Sequence, residues 1–327
     1  MNYRTLGKTG YEVSEISLGT WQLGSRWGDP FSEEVAQQTL EAALENGINM
    51  LDTADIYQDG CSERAIGRFM KAHPEKRIYV VTKMGRALNP HVAEGYTEEN
   101  MRRFVNQSRE RMGVDALDLT LLHCPPTPIF SNKEFFACLD KMKAEGIIRH
   151  YGVSIERIDE GLAALEHDIS AIEVIFNMYR QRPAEELFKK AAEKNVGIIV
   201  RVPLASGMLT GTYTADKTFG PNDHRTYNRN GESFDKGETF SGVDYLTGIR
   251  SAERLKAELP TDDLAGMALR WCLMFPEVSV VIPGASRPEQ IVRNVAASEL
   301  PPLSPAQMET VKRIYNEDIK DSVHNLW

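Results

Sequence analysis

Short apolar and β-branched runs alternate along the chain with longer segments in which apolar residues recur at helical spacing. Near-continuous apolar runs of this length are typical of parallel strands that are covered on both faces. The runs predict eight strands, at Glu15–Gly19, Ile48–Asp52, Ile78–Lys83, Leu117–His123, Ile147–Ser154, Ala171–Phe176, Val196–Arg201 and Val278–Ile282. Helices are predicted between them at Ser32–Asn46, Ser62–Ala72, Thr97–Met112, Asn132–Glu145, Arg157–Glu166 and Ala184–Lys194, with one or two more within Leu246–Phe275.

Eight strands that alternate with helices predict an α/β fold of the (β/α)8 barrel (TIM barrel) class rather than an open doubly wound sheet. A hairpin is expected ahead of the barrel at Tyr3–Ser14, with its turn at Lys8-Thr9-Gly10. The segment Thr212–Gly242 is too long for a plain connector and is predicted to be a lid or a disordered loop. A final helix is expected after Ser304, ending at Trp327. Because no linker interrupts the pattern, the whole 327-residue chain is predicted to be a single domain.

Composition narrows the class of protein. The 38 Lys and Arg against 47 Asp and Glu leave a net charge of −9, which argues against a nucleic-acid partner. Neither an apolar run of the ~18 residues that a membrane helix needs nor a hydrophobic signal core is present, so a cytoplasmic protein is expected. The cysteines form no CxxC pair, which fits reduced thiols and predicts no metal site; they are Cys61, Cys124, Cys138 and Cys272.

Polar side chains end several of the predicted strands, and these are the candidate functional residues. Asp52, Lys83 and His123 close the second, third and fourth strands, and Tyr57 follows Asp52 by five residues. In a barrel of this class the carboxyl ends of the strands converge on one rim, which holds the active site. Charged groups buried there are costly unless they are paired. A shared active site is therefore expected at this rim.

These four residue types fit the reduction of a carbonyl group, which needs a proton donor to the oxygen as a hydride reaches the carbon. Tyr57 is the expected general acid, and the ammonium of Lys83 is expected to lower its pKa from the ordinary value of ~10. Asp52 is expected to pair with Lys83, and His123 is expected to orient the carbonyl oxygen. Since none of these side chains can deliver a hydride, a nicotinamide cofactor is required.

The segments around these residues resemble the signature segments of the aldo-keto reductases. They are Leu51-Asp52-Thr53-Ala54-Asp55-Ile56-Tyr57, Thr82-Lys83, Leu121-Leu122-His123, Gly19-Thr20-Trp21, Gly152-Val153-Ser154, Pro203-Leu204-Ala205-Ser206-Gly207 and Ile282-Pro283-Gly284-Ala285-Ser286. The similarity extends over essentially the whole chain and is greater to bacterial-type members than to the mammalian aldose reductases. It implies a barrel that binds NADP(H) across its rim, with Asp52, Tyr57, Lys83 and His123 as the catalytic tetrad.

The resemblance also implies a set of cofactor-binding residues, namely Gly19, Thr20, Trp21, Ser154, Glu173, Arg201, Pro203, Leu204, Ser206, Gly207, Gly284, Ser286, Arg287, Gln290 and Asn294. Ser154 matches the residue that contacts the nicotinamide carboxamide. Glu173 stands where Gln is usual, and Arg201 stands where an aromatic residue often stacks on the nicotinamide. Arg287 offers a fork-shaped cation for the adenosine 2′-phosphate, so NADPH is the expected cofactor. The alternative for Arg287 is a solvated surface charge.

Simpler interpretations apply to several of these residues when each is taken alone. Asp52 with Lys83 would then be a structural ion pair, and His123 a hydrogen-bonded core histidine. Trp21 is either core or an apolar wall beside the substrate carbonyl. Asp223-His224-Arg225 is a candidate contact for an anionic or polyhydroxy substrate, with a solvated loop as the alternative.

The leading hypothesis is an NADPH-dependent reductase of aldehydes or ketones, reversible toward alcohol oxidation, whose partner is a small-molecule carbonyl or alcohol. The alternative is an NADP(H)-binding regulatory or sensor protein of the same fold with little turnover, like the channel-associated β subunits. A third hypothesis is a barrel isomerase or aldolase in which Lys83 forms a Schiff base. The sequence leaves the substrate and the oligomeric state open.

Overall fold

A computed structural model describes residues 1–25 and 29–327 of the chain. A two-stranded antiparallel hairpin comes first, formed by β1 (Tyr3–Thr5) and β2 (Glu12–Ser14). Eight parallel strands follow among the described residues: β3 (Leu18–Gly19), β4 (Met50–Asp52), β5 (Tyr79–Met84), β6 (Leu117–His123), β7 (Ile148–Ser154), β8 (Ala171–Ile175), β9 (Gly197–Arg201) and β10 (Val278–Val281).

The eight parallel strands follow each other in sequence order around the sheet, from β3 to β10. Its two ends meet through single parallel pairs, Ile16 with Val281 and Gly19 with Gly284. The predicted strand Glu15–Gly19 therefore lies in the sheet, although only its last two residues are a regular strand. Eight parallel strands in sequence order, with the first paired to the last, form a (β/α)8 barrel, so the predicted fold is confirmed.

Helices alternate with the strands along the described part of the chain and follow the last strand. They are α1 (Glu33–Glu45), α2 (Cys61–Ala72), α3 (Glu98–Met112), α4 (Lys133–Ala144), α5 (Ile158–Ala164), α6 (Leu187–Glu193), α7 (His224–Tyr227), α8 (Tyr245–Glu258), α9 (Leu264–Cys272), α10 (Pro288–Ala296), α11 (Pro305–Ile314) and α12 (Lys320–Val323). Three predicted first residues are N-caps, because the side chains of Ser32, Thr97 and Asn132 each accept a hydrogen bond from the backbone three residues ahead. Each of these helices consequently begins one residue later than predicted.

Three parts of the chain differ from the sequence predictions. Helix α10 was not predicted. The predicted C-terminal helix is interrupted by a π-helical turn at Tyr315–Ile319 and ends at Val323, so it does not reach Trp327. The segment 212–242, hereafter the lid segment, contains the short helix α7 and two 3-10 helices at Lys236–Glu238 and Phe240–Gly242, none of which was predicted.

The N-terminal hairpin closes one end of the barrel. Leu6 and Val13 are almost fully buried and pack with Met50, Val81 and Ile199 in a cluster inside the strands. This apolar plug contacts residues that precede the strand ends. The polar residues at the carboxyl ends of the strands therefore face the opposite opening, where barrels of this class carry their active sites.

Candidate active site

The register of neighbouring strands brings the predicted catalytic residues side by side. Asp52 pairs with Val81 of β5. Because Lys83 follows Val81 by two residues and side chains alternate along a strand, Asp52 and Lys83 share the inward face. His123 pairs with Ser154, and Ser154 pairs with Glu173. These five side chains form a ring of polar groups toward the carboxyl-terminal side of five successive strands, with Glu173 two residues before the end of β8.

Lys83 is the centre of this ring. Its Nζ donates to Asp52 Oδ1 at 2.6 Å and Oδ2 at 2.7 Å and to the Thr53 carbonyl at 3.0 Å, and it lies 3.4 Å from Glu173 Oε2. Burial alone would lower the pKa of Lys83, but the negative charges of Asp52 and Glu173 outweigh burial and raise it. The side chain therefore stays an ammonium, which disfavours the Schiff-base hypothesis because that chemistry needs a neutral amine.

Tyr57 reaches the same ring from the turn after β4. Its hydroxyl lies 3.4 Å from Lys83 Nζ, and its ring lies 6.0 Å from that of His123 and 6.2 Å from that of Trp21, measured between centroids. The next residue, Gln58, adopts a left-handed conformation with φ of 50°, and its amide donates to the Leu23 carbonyl at 2.9 Å. This anchor fixes the turn that carries Tyr57.

The predicted lowering of the Tyr57 pKa is wrong in its net direction. Burial raises the pKa of Tyr57, and although Lys83 lowers it, Asp52 and Glu173 raise it further. The ammonium alone would lower the pKa of Tyr57, but the two carboxylates beside it offset its charge. Tyr57 is consequently a protonated phenol at neutral pH, which is the form that a proton donor requires.

His123 is the second polar group beside Tyr57 and is only 8% exposed. Burial, followed by the positive charges of Lys83, Arg86 and Arg201, lowers its pKa well below 6.5. The imidazole is therefore neutral. Within the described part of the chain its Nδ1 makes no hydrogen bond.

A cavity of about 310 Å³ opens over Tyr57 and His123. Most of the predicted cofactor residues line it, namely Gly19, Trp21, Ser154, Glu173, Arg201, Pro203, Leu204, Ser206, Gly207, Gly284 and Gln290. Its walls also hold buried polar atoms that make no hydrogen bond to the described residues, Glu173 Oε2 and Arg201 Nε. Both atoms have a charged neighbour but lack a hydrogen bond, so this lining fits a ligand with its own polar groups, such as a nicotinamide.

Four predicted cofactor residues lie outside the cavity. Thr20 is fully buried, and its hydroxyl donates to the Asp52 carbonyl at 2.7 Å, so its position is structural. Ser286 donates its backbone N–H to Gln290 Oε1 at 2.8 Å, which joins it to the cavity wall. Arg287 is the N-cap residue of α10, and its side chain is 52% exposed. Asn294 lies within the same helix.

A buried charge cluster that the sequence analysis missed lies behind Arg201. The Arg201 guanidinium lies 3.0 Å from Glu156, 3.6 Å from Glu238 and 3.7 Å from the Cys124 sulfur. Burial raises the pKa of Glu156 to about 8, whereas the positive charge of Arg201 outweighs burial at Glu238 and holds the pKa of Glu238 below its ordinary value. The potential metal ligands Cys124, Glu156 and Glu238 thus already share one cation, the guanidinium. These residues are far apart in sequence, because Glu238 belongs to the lid segment, and only the folded structure brings them together.

The lid segment supplies further cavity walls. His224 and Arg225 line the cavity, as the sequence analysis considered possible for a substrate contact, and the ring of His224 lies 5.1 Å from that of Trp21. Asp223 holds Arg225 with contacts of 2.9 and 2.6 Å. Burial lowers the pKa of His224 to about 4, so the imidazole is neutral. Trp21 is half-buried and forms part of the cavity wall.

Known proteins resemble this chain in sequence and in structure. Residues 15–316 match the Aldo/keto reductase family. The chain is 29% identical to the NADH-specific methylglyoxal reductase of Escherichia coli (strain K12), over 89% of this chain and 92% of that protein. It is 26% identical to a probable voltage-gated potassium channel subunit beta of Arabidopsis thaliana, over 96% of each chain. The holo form of an aldo-keto reductase from Bacillus halodurans superposes with a TM-score of 0.76 at 28% identity, over 96% of each chain.

The chain therefore belongs to the aldo/keto reductase family. It is an oxidoreductase of carbonyl substrates, and the family uses nicotinamide cofactors. Within residues 1–25 and 29–327, none of the helices combines the length and the apolar character that crossing a lipid bilayer requires.

Proposed function

We propose that the protein reduces an aldehyde or ketone to an alcohol with NADPH, and that Tyr57 is the general acid. The observation that carries this proposal is the 3.4 Å contact between the Tyr57 hydroxyl and Lys83 Nζ at the base of a cavity that His123 also lines. We place the activity in one domain formed by the whole chain, and the protein in the cytoplasm.

Each side chain has one task in this proposal. Bound NADPH supplies the hydride. Tyr57 gives its hydroxyl proton to the carbonyl oxygen, and the Lys83 ammonium stabilises the phenolate that remains. Asp52 holds Lys83 in place by the bonds at 2.6 and 2.7 Å. Neutral His123 orients the carbonyl oxygen by donating a hydrogen bond.

A panel of carbonyl compounds tests the activity directly. NADPH and NADH absorbance is followed with aldehydes, α-dicarbonyls, sugars and keto acids, in parallel with a Tyr57→Phe variant. The proposal expects turnover with at least one class, lost in the variant. A wild-type protein that binds NADPH but turns over none of these classes contradicts it.

Arg287 carries the proposed preference for NADPH over NADH. Among the described residues its half-exposed guanidinium is paired with Glu289 at 3.9 Å, a long contact that leaves it available to a 2′-phosphate. A charge-assisted hydrogen bond of about 1.5–3 kcal/mol predicts that Arg287→Leu weakens NADPH binding roughly 10- to 100-fold and leaves NADH binding nearly unchanged. Titration of protein fluorescence with each cofactor measures both. Equal losses of affinity for NADPH and NADH, or no loss for either, would contradict the role of Arg287. Both outcomes are open, because one relative of this chain is named as NADH-specific.

A regulatory or sensor role is the second candidate, because relatives named as potassium channel beta subunits align over nearly the whole chain. Such a role predicts a protein partner whose binding changes when the bound cofactor is oxidised. A pull-down with NADPH or NADP⁺ present, set beside the carbonyl panel, separates the two candidates.

A further inference from the structure

More groups surround the Lys83 ammonium than it has N–H donors. An ammonium has three N–H groups. Asp52 accepts at 2.6 and 2.7 Å, and the Thr53 carbonyl accepts at 3.0 Å. Two further oxygens lie at the same longer distance of 3.4 Å, the Tyr57 hydroxyl and Glu173 Oε2. The three shorter contacts equal the three N–H groups in number, so Tyr57 and Glu173 compete for the attraction of the ammonium from the same longer distance.

Glu173 is fixed in this position by its neighbours. The Ser154 hydroxyl donates to Glu173 Oε1 at 3.3 Å, and Arg201 Nε lies 3.9 Å from the same oxygen. The residue is 2% exposed, and Oε2 makes no hydrogen bond within the described part of the chain. With one oxygen held by Ser154, the other faces Lys83.

We infer that Glu173 is a positioning residue that competes with Tyr57 for the Lys83 ammonium and thereby sets the pH range in which Tyr57 releases its proton. The inference rests on the proposed role of Tyr57 as the acid. Glutamine has nearly the same shape as glutamate but no charge, so Glu173→Gln removes the competing charge while it keeps an acceptor for Ser154. The raised pKa of Tyr57, to which Glu173 contributes, has the direction that this competition requires.

The test is the pH dependence of carbonyl reduction by Glu173→Gln. The alkaline limb of kcat/KM is expected to move about one pH unit lower, the size of shift that one nearby charge produces. A second readout needs no cofactor: the ultraviolet absorbance of tyrosinate, taken as the difference between Glu173→Gln with and without Tyr57→Phe. The tyrosinate absorbance of Tyr57 is expected at lower pH in Glu173→Gln than in the wild type, where it is the difference between the wild type and Tyr57→Phe alone.

Glu156→Gln is the matched control, because Glu156 is also a buried carboxyl group beside Arg201, and one that is ionised above about pH 8, but it does not pair with Lys83. Its alkaline limb is expected to stay in place. An unshifted limb in Glu173→Gln, or an equal shift in both variants, overturns the inference. Activity that survives Tyr57→Phe instead overturns the proposed function, so the two failures are distinct. If Glu173→Gln does not fold, Glu173→Asp retracts the carboxylate by one methylene, and a smaller shift in the same direction is expected; its absence also overturns the inference.

Discussion

The strand-end ring and the lid segment face the same cavity but are held in place by different means. In the ring, Asp52, Lys83 and Glu173 follow from the hydrogen-bonded register of parallel strands. In the lid segment, position depends on side-chain contacts with distant parts of the chain, such as the bond of 2.7 Å from Trp327 Nε1 to Asp235 Oδ1. The ring is thus part of the barrel itself. The lid segment is attached to the barrel by side-chain contacts such as the bond of 2.8 Å from Asn177 Nδ2 to Ser241 Oγ and by the burial of Phe240.

The largest effect is expected at the centre of the ring. Lys83→Met leaves two buried carboxylates, Asp52 and Glu173, without their cation. Removing one partner of a buried pair costs about 3–5 kcal/mol, so the free energy of unfolding should fall by that amount. Reduction of the carbonyl should fall by at least about 10³-fold, since the phenolate loses its stabilising charge. Denaturant unfolding and steady-state kinetics measure the two losses.

The companion variant is Lys83→Met with Asp52→Asn, which removes one of the uncompensated charges. It should recover part of the stability and none of the activity. A single Lys83→Met variant as stable as the wild type would show that the ring is not a coupled charge network.

The second effect concerns the attachment of the lid segment. Trp327 is 7% exposed, and the Arg180 guanidinium lies 3.9 Å above its ring. Trp327→Ala removes this packing and the bond to Asp235, at a cost of about 3 kcal/mol by comparison with other large-to-small substitutions. We expect faster proteolytic cleavage within residues 212–242 and a higher KM, with kcat nearly unchanged. Trp327→Phe keeps an aromatic ring under Arg180, so its cleavage rate should lie between those of the wild type and Trp327→Ala. A cleavage rate in Trp327→Ala equal to that of the wild type would contradict the role of Trp327 in holding the lid segment.

The smallest effect is a difference in pH dependence. Burial raises the pKa of Glu156 to about 8 and that of Asp55, beside the ring, to about 7. Each native carboxyl keeps its proton above pH 4.5, where the unfolded chain has released it, so the free energy of unfolding falls as pH rises through that window. The slope is at most about 1.4 kcal/mol per pH unit for each group. Glu156→Gln should flatten the fall up to about pH 8, and Asp55→Asn only up to about pH 7.

Chemical denaturation at a series of pH values measures these slopes. If both variants flatten the profile over one and the same range, the two carboxyl groups do not titrate as the structure requires. Unchanged slopes in both variants would show that neither native group retains its proton.

The difference between the strand-end ring and the lid segment also explains which features could be predicted from the sequence. Eight apolar runs and the polar residues that end them were sufficient for the barrel and for the ring of Asp52, Lys83 and His123, because parallel register converts position in a strand into position in space. The pairing of Glu156 and Glu238 with Arg201 could not be predicted, since the three residues come from separate segments whose contacts no local pattern encodes. The predicted direction of the Tyr57 pKa shift was wrong for a related reason: the pKa depends on burial together with the charges of Lys83, Asp52, Glu173 and Glu238, which come from separate segments.

The central claim is that the Tyr57 hydroxyl delivers the proton during carbonyl reduction. Single-turnover reduction by a preformed complex with NADPH, compared between wild type and Tyr57→Phe, tests this step most directly, with the cofactor dissociation constant measured on the same samples. We predict a dissociation constant within about twofold of wild type, together with a loss of at least about 10²–10⁴ in the rate of reduction. A Tyr57→Phe variant that reduces the carbonyl at the wild-type rate would contradict the claim.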